Sequence, residues 1–262
     1  MFDNHLHTEV SADSSMLIDD AIKSAEEKGI GLILTEHMDI TRADMKLGEE
    51  FTFDVSEYFA KYREYRNEKL LLGMEVGFTP EFVEQNNNAI KSGEFDFIIG
   101  SIHVVNKIDI FQHIYYETRT KREAYEEYLE TMKQCLKLYD NIDSLGHIDY
   151  ICRYATYDDK EIYYNEFSDY IDEVLKVVIE KEKAIEINTR RLNSSTAKNN
   201  LFNIYKRYKE LGGKIVTIGS DSHRANDIGA NFKEAIDIID NIGLKNVYYK
   251  NRKIYYDDRN IK

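Results

Sequence analysis

Six of the seven histidines in this 262-residue chain stand directly behind short apolar runs, and one glutamate and two aspartates follow the same rule. In His5-Leu6-His7 and again in Asp221-Ser222-His223, a single intervening residue leaves both flanking side chains on one face of an extended segment. Two such side chains can grip one ion or two adjacent ions. Between these pairs lie His37 in Thr-Glu-His, Glu75 in Gly-Met-Glu-Val-Gly, His103 in Gly-Ser-Ile-His and His147 in Gly-His-Ile-Asp. Imidazole nitrogens and carboxylate oxygens without cysteine suit zinc, manganese or iron(II) rather than an iron–sulfur cluster or a thiolate zinc. A lone histidine is more often a hydrogen-bonded core or surface residue. Six placed alike at the ends of apolar runs point jointly to a multi-metal site.

Positioning such ligands from residue 5 to residue 223 requires elements whose ends converge. Seven strand-like runs, near residues 2–5, 31–35, 70–76, 95–101, 142–147, 184–188 and 214–220, alternate with segments that can hold helices. That alternation predicts an α/β fold with a parallel sheet or barrel, whose carboxyl strand ends share one face. The first helix has Leu17, Ala21, Ile22 and Ala25 at helical spacing, Ser14 or Ser15 as its cap and Gly29 as its stop. Later helices repeat the spacing with tyrosines such as Tyr58, Tyr128 and Tyr205, read as core or interface. Loops over 39–53 and 106–120 each follow a ligand-bearing strand and overhang the site. Residues 246–256 read as a terminal hairpin. One proline and no low-complexity tract argue for a single domain over 1–262.

The charge balance narrows the partners. With 35 Lys and Arg against 48 Asp and Glu, the net charge of −13 argues against nucleic-acid and anionic-membrane partners. Bound divalent ions reverse the local sign, so an anionic small molecule is compatible with the acidic whole. No long apolar stretch or leader-like start is present, which predicts a cytoplasmic protein. Cys135 and Cys152 are expected to be reduced, partly buried thiols. Composition is silent on oligomeric state.

The ordered set His-x-His, Asp13, Thr-Glu-His, Gly-Met-Glu-Val-Gly, Gly-Ser-Ile-His, Gly-His-Ile-Asp and Gly-Ser-Asp-Ser-His closely resembles the polymerase and histidinol phosphatase (PHP) family. The resemblance implies a distorted seven-stranded (β/α)7 TIM-like barrel with a three-metal site. Carried over residue by residue, it implies that His5, His7, Glu75 and Asp221 hold one ion, and that Glu75 bridges to a second held by His103 and His147. Asp13, His37 and His223 would hold the third. The ions would be zinc, manganese or iron. Within the family, the chain is most similar to the stand-alone members that hydrolyse histidinol phosphate. Arg190-Arg191-Leu192 departs from the small residue and glycine that many relatives carry after the sixth strand.

What the resemblance implies about function is a metal-dependent phosphomonoesterase. It would hydrolyse L-histidinol phosphate to L-histidinol and phosphate, in histidine biosynthesis, by attack of a metal-bridging hydroxide. Glu75, Asp221 and His223 are the expected catalytic residues. Arg153, Arg190, Arg191 and His113 are candidates for gripping the substrate, and Asp109, Tyr115, Tyr116 and Glu117 are offered by the 106–120 loop. Glu36 and Asp149 are candidate partners for orienting an imidazole. Two alternatives stand beside this reading. One is a phosphoesterase of the same family acting on a nucleotide, sugar phosphate or phosphotyrosyl protein; the other is a non-catalytic metal- or partner-binding module.

Overall fold

In the computed structural model, which describes residues 1–40 and 51–257, one mostly parallel sheet is flanked by helices. Its strands are β1 (Phe2–Leu6), β2 (Gly31–Met38), β3 (Leu70–Gly77) and β4 (Phe97–Ser101), with a separate two-stranded ribbon of β5 (Val104–Val105) and β6 (Ile108–Asp109). The sheet continues with β7 (Ser144–Leu145), β8 (Ala184–Asn188), β9 (Ile215–Gly219), β10 (Lys245–Lys250) and β11 (Lys253–Tyr256). The helices are α1 (Ile18–Lys28), α2 (Val55–Tyr62), α3 (Val83–Lys91), α4 (Lys121–Leu138), α5 (Ile151–Tyr154), α6 (Tyr164–Glu180), α7 (Ser195–Glu210) and α8 (Phe232–Ile242).

All seven expected strands are present, but the sheet has nine. The terminal hairpin is not a separate appendage: β10 pairs parallel with β9, at Lys245 opposite Ile215 and Asn246 opposite Val216, and β11 pairs antiparallel with β10. The sheet order is β1-β2-β3-β4-β7-β8-β9-β10-β11. The sheet curls until β1 and the end of β9 touch. The Asp221 N–H donates to the His5 carbonyl at 2.7 Å, and the His7 N–H donates to the Ser222 carbonyl at 2.9 Å. Asp3 adds a side-chain tie, because its buried carboxylate accepts the N–H groups of Ser220 at 2.8 Å and Gly229 at 2.9 Å.

Strand alternation explains where the chemistry sits. On the inner face, Ile33 precedes His37 along β2, Leu71 precedes Glu75 along β3, and Ala184 precedes Glu186 along β8, each at even spacing. Their apolar members pack with Phe2, Phe97, Ile99, Val247 and Tyr249 into a small buried cluster. That cluster is the floor beneath the polar side chains, while a much larger apolar cluster fills the space between sheet and helices. Burying a Leu, Ile or Phe side chain contributes roughly 1.5–3 kcal/mol, so the floor is a rigid base for the ligands above it.

Two local expectations are corrected. Helix α1 begins at Ile18 with Leu17 before it and no side-chain cap. The Ser14 hydroxyl, expected to cap it, instead donates to the His7 carbonyl at 2.9 Å. Gly29 does end the helix, at φ 67°, a left-handed conformation in which glycine has no Cβ clash. The loop expected over 39–53 lies largely on residues 41–50, outside the described ones; the 106–120 segment carries β6 and a short 3-10 turn over His113–Tyr115. Among the described residues no helix is long and apolar enough to cross a membrane. Cys135 and Cys152 are free and fully buried.

Candidate metal centre

Glu75, at the end of β3 and sealed from solvent, is the centre of the site. His147 Nε2 lies 3.0 Å from its Oε1, His5 Nε2 3.3 Å and His103 Nε2 3.4 Å. His37 Nδ1 lies 2.7 Å and His7 Nε2 3.6 Å from Oε2. Asp221 faces the same space, its Oδ1 3.5 Å from His7 Nε2 and 3.7 Å from His5 Nε2. On the outer side, Asp13 Oδ2 lies 2.9 Å from His223 Nε2 and 3.6 Å from His37 Nε2. All nine side chains singled out as ligands are therefore brought together by strands far apart in sequence.

Backbone geometry aids this convergence. Asp221 sits at φ 53°, a left-handed conformation uncommon outside glycine. Two residues earlier, Gly219 leaves room for the ligands' supports: a Cβ there would lie 2.2 Å from Glu186 Oε1 and 2.4 Å from His5 Cβ. Any side chain at 219 would have to displace the Glu186 carboxylate and His5.

The donor set fits divalent ions. His5, His7 and His103 each leave Nε2 buried without a hydrogen-bond partner, while His37 Nδ1 and His223 Nε2 face carboxylates, 2.7 Å from Glu75 Oε2 and 2.9 Å from Asp13 Oδ2. Leaving one such group unsatisfied costs about 1–3 kcal/mol, so a cluster of orphaned lone pairs aimed into one space has the signature of a site completed by cations. Among the described residues, four triads have ligand atoms close enough to share an ion: His5, His7 and Glu75; His37, Glu75 and His103; His7, His37 and His223; and His5, His147 and Asp221.

Charge follows the same pattern. Burial opposes ionisation of Glu75, yet the imidazoles of His5, His103 and His37 hold its pKa well below the usual carboxylate value. Asp221 is likewise lowered against burial, by the Arg153 guanidinium first and then by His5. Burial disfavours charge on His5, and the facing Glu75, Glu186 and Asp221 overcome it to raise its pKa well above the ordinary imidazole value. His37 is pushed up to about 10, against burial, by Glu75 and Asp13. His7 goes the other way, lowered by burial and by the neighbouring His37 and His223. Protons on these rings occupy the places that cations take, so metal loading should release them.

Several carboxylates and hydroxyls behind the ligands were not singled out in the sequence. Glu186 Oε1 lies 2.7 Å from His5 Nδ1, and its Oε2 accepts the His147 N–H at 2.7 Å. Asp39 Oδ1 lies 3.0 Å from His103 Nδ1. Both partners lie at even spacing from other site residues, Asp39 from His37 and Glu186 from Asn188, which was the available signal. Of the two orienting carboxylates expected, Glu36 binds Thr8 and Ser11 rather than an imidazole. Asp149 accepts from Arg191 Nη1 at 2.7 Å.

The expected substrate-gripping residues divide. Arg190 Nη1 donates to the Asp221 carbonyl at 3.0 Å and lines a cavity of about 640 Å³ with Asp13, Asn193, Asp221, His223 and Arg224. Arg153 donates to Asp221 Oδ2 and to Asn188 Oδ1. The Arg191 guanidinium is spanned by two carboxylates, those of Asp149 and Glu161. His113 is exposed and lines a second cavity, of about 530 Å³, with Phe111, Arg153, Tyr154 and Lys160. Tyr115 and Tyr116 are buried, and their hydroxyls donate to the Ala124 and Ile110 carbonyls; neither faces that cavity. Phe111 does, 58% exposed, with its ring edge-on to Tyr154 at 4.9 Å.

A mostly parallel sheet bearing a histidine and carboxylate cluster at its carboxyl strand ends defines a metal-binding α/β protein, and comparison with known proteins identifies which. The PHP domain matches residues 3–190, and the chain belongs to that family. Asp221 and His223 lie beyond the matched span and are brought in by β9. The chain is 50% identical to a protein of Clostridium acetobutylicum named probable histidinol-phosphatase, over 98% of this chain and 99% of that one. It is 34% identical to a histidinol-phosphatase of Lactococcus lactis over 85% of this chain and 84% of that one. Among solved structures, it matches histidinol phosphate phosphatase of Lactococcus lactis complexed with zinc, L-histidinol and phosphate. That match has a TM-score of 0.90 and 32% identity, covering 97% of this chain and 98% of the other.

Proposed function

We propose that this chain is a metal-dependent phosphomonoesterase that hydrolyses L-histidinol phosphate to L-histidinol and phosphate, a step of histidine biosynthesis. One observation carries the reading: the lone pairs of His5, His7, His37 and His103 and both Glu75 oxygens converge on one buried space. The relatives' named activity gives that cation site its substrate. The proposed architecture is one domain over 1–262, with seven strands, β1 to β4 and β7 to β9, closed as a barrel. The hydrogen bonds between β1 and the end of β9 support closure.

Three divalent ions, of zinc, manganese or iron, fit the donor set. His5, His7, Glu75 and Asp221 would hold one, Glu75 with His103 and His147 a second, and Asp13 with His37 and His223 a third. When bound, such ions acidify a water to near neutrality and offset charge on the phosphoryl oxygens. The chain's own residues do the rest. Glu75 would be shared between neighbouring ions, and its depressed pKa keeps it anionic for that task. Arg153 anchors Asp221 from behind. Arg190, on the cavity wall beside Asp221 and His223, is placed to meet a phosphoryl oxygen. Arg191 is held between Asp149 and Glu161 and does not line the cavity that Arg190 does.

The leaving group belongs in the cavity of Phe111, His113 and Tyr154, which shares Arg153 with the metal centre. An imidazole stacks on such rings. The acidic surface disfavours nucleic acid as the phosphate donor, and two free buried thiols fit the reducing cytoplasm.

Chelation tests the reading. Metal-free protein should release no phosphate from L-histidinol phosphate, and zinc or manganese should restore release. Full turnover by metal-free protein contradicts it.

A further inference from the structure

Behind His7 lies a buried carboxylate that touches no imidazole. Glu36, fully buried on β2, accepts the Thr8 N–H at 3.0 Å and the Thr8 hydroxyl at 2.6 Å, and its Oε2 accepts the Ser11 hydroxyl at 2.6 Å. Ser11 Oγ is in turn 3.1 Å from the His37 N–H and 3.1 Å from His7 Nδ1. A hydroxyl has one hydrogen and two lone pairs. Ser11 commits its hydrogen to Glu36 and one lone pair to His37 N–H, so the contact with His7 requires Nδ1 to donate. The Nε2 lone pair, which faces Glu75 and Asp221, is then bare.

We infer that Glu36 is a positioning residue which, through the Ser11 hydroxyl, holds His7 in the tautomer that presents Nε2 to a cation. His5 and His103 reach the same state by direct contact with Glu186 and Asp39. His7 alone among the three reaches its carboxylate through an intervening hydroxyl. The inference concerns this chain's residues and stands on geometry alone; it fails separately from the choice of substrate.

The relay has a directional consequence. The Thr8 N–H is shared between Oε1 at 3.1 Å and Oε2 at 3.0 Å, whereas the Thr8 hydroxyl meets Oε1 alone, so in Glu36→Gln the hydroxyl keeps the amide oxygen at Oε1 and the amide nitrogen falls against Ser11. That nitrogen is a donor, so the Ser11 hydrogen must turn to His7 Nδ1, and the ring proton moves to Nε2, where it blocks the cation. Ser11→Ala removes the relay without reversing it. Tyr62→Phe is the control: the Tyr62 hydroxyl meets Thr8 Oγ1 at 2.8 Å, on the arm of the network that does not reach His7.

The test uses full-length protein stripped of metal and labelled with 15N-histidine. Long-range 1H–15N correlation spectra at pH 8 should show His7 protonated on Nδ1 in the wild type and in Tyr62→Phe, and on Nε2 in Glu36→Gln. Zinc titration against a competing chelator should show the zinc that His7 helps to hold weakened about 10–100-fold in Glu36→Gln and Ser11→Ala, with Tyr62→Phe at wild-type affinity. A wild-type His7 already protonated on Nε2, or zinc affinities within twofold of wild type in both Glu36→Gln and Ser11→Ala, overturns the inference. So does an equal loss in Tyr62→Phe, which would make the whole network merely structural.

Discussion

His5 and Glu186, 181 residues apart on β1 and β8, stand 2.7 Å apart from Nδ1 to Oε1 with both side chains sealed from solvent. The contact fixes the His5 proton on Nδ1 and leaves Nε2 for Glu75 and Asp221. Glu186 also accepts from the His147 backbone, so one carboxylate sets two ligands. Glu186→Gln would place an amide donor against either the His147 N–H or His5 Nδ1. The expected result is metal affinity lower by about 10–100-fold; metal content after dialysis against a chelator buffer measures it.

Glu75 contributes more than a ligand atom, because five imidazoles lie within 3.6 Å of its oxygens. Glu75→Gln preserves shape and removes the bridging charge. Turnover of L-histidinol phosphate should fall by about a thousandfold or more, equivalent to roughly 4 kcal/mol of transition-state stabilisation. Circular dichroism should remain that of the folded protein. Wild-type rates in this variant would exclude a carboxylate-bridged centre.

Phe111 is exposed at a cavity that also holds Arg153 and Tyr154. If its ring receives the imidazole of the leaving group, Phe111→Ala should lower kcat/KM for L-histidinol phosphate by about tenfold, in keeping with roughly 0.5–1.5 kcal/mol for the aromatic contact plus lost buried area. Hydrolysis of glycerol phosphate, which has no ring, should be unchanged. Parallel losses on both substrates would assign Phe111 to loop structure.

Burial pushes the thiols of Cys135 and Cys152, and the phenols of Tyr139 and Tyr208, up to about 12. Their ordinary values are 9.0 for cysteine and 10.0 for tyrosine. Between the ordinary and folded values, the unfolded chain has lost protons that the folded one retains, so stability must fall as pH rises. Each fully coupled group contributes up to about 1.4 kcal/mol per pH unit. In metal-free protein His37, pushed up from 6.5 to about 10, begins the decline above about pH 6.5, and the thiols and phenols steepen it from about pH 9 upward; urea midpoints measure both. In native protein at pH 8, both thiols should resist alkylation; rapid labelling there would contradict the burial assigned to them.

Eight of the nine candidate ligands were legible because they stand at the ends of apolar runs, and a strand end is where a parallel sheet delivers side chains to a shared face, whereas Asp13, in a Ser-rich loop, came only with the family resemblance. Their supports were less so. Asp39 and Glu186 carry no mark that separates them from the many solvated carboxylates of an acidic chain, except even spacing from His37 and Asn188 along their strands. Ser14 reads as a helix cap from its neighbours, yet it is drawn away by the His7 and His223 carbonyls, which only the folded chain brings near. The terminal hairpin was legible as a hairpin but not as part of the sheet, because β10 joins β9 through only two residue pairs, Lys245 with Ile215 and Asn246 with Val216. Arg191 resembled Arg190 in sequence, and only tertiary placement gives it two carboxylates of its own.

The most direct measurement is phosphate release by the metal-loaded protein, comparing kcat/KM for L-histidinol phosphate with nucleotides, sugar phosphates and phosphotyrosine. The account predicts a preference for L-histidinol phosphate of about a hundredfold or more, equivalent to roughly 2.7 kcal/mol of differential transition-state binding. A flat profile, or a better substrate elsewhere in the panel, would contradict it.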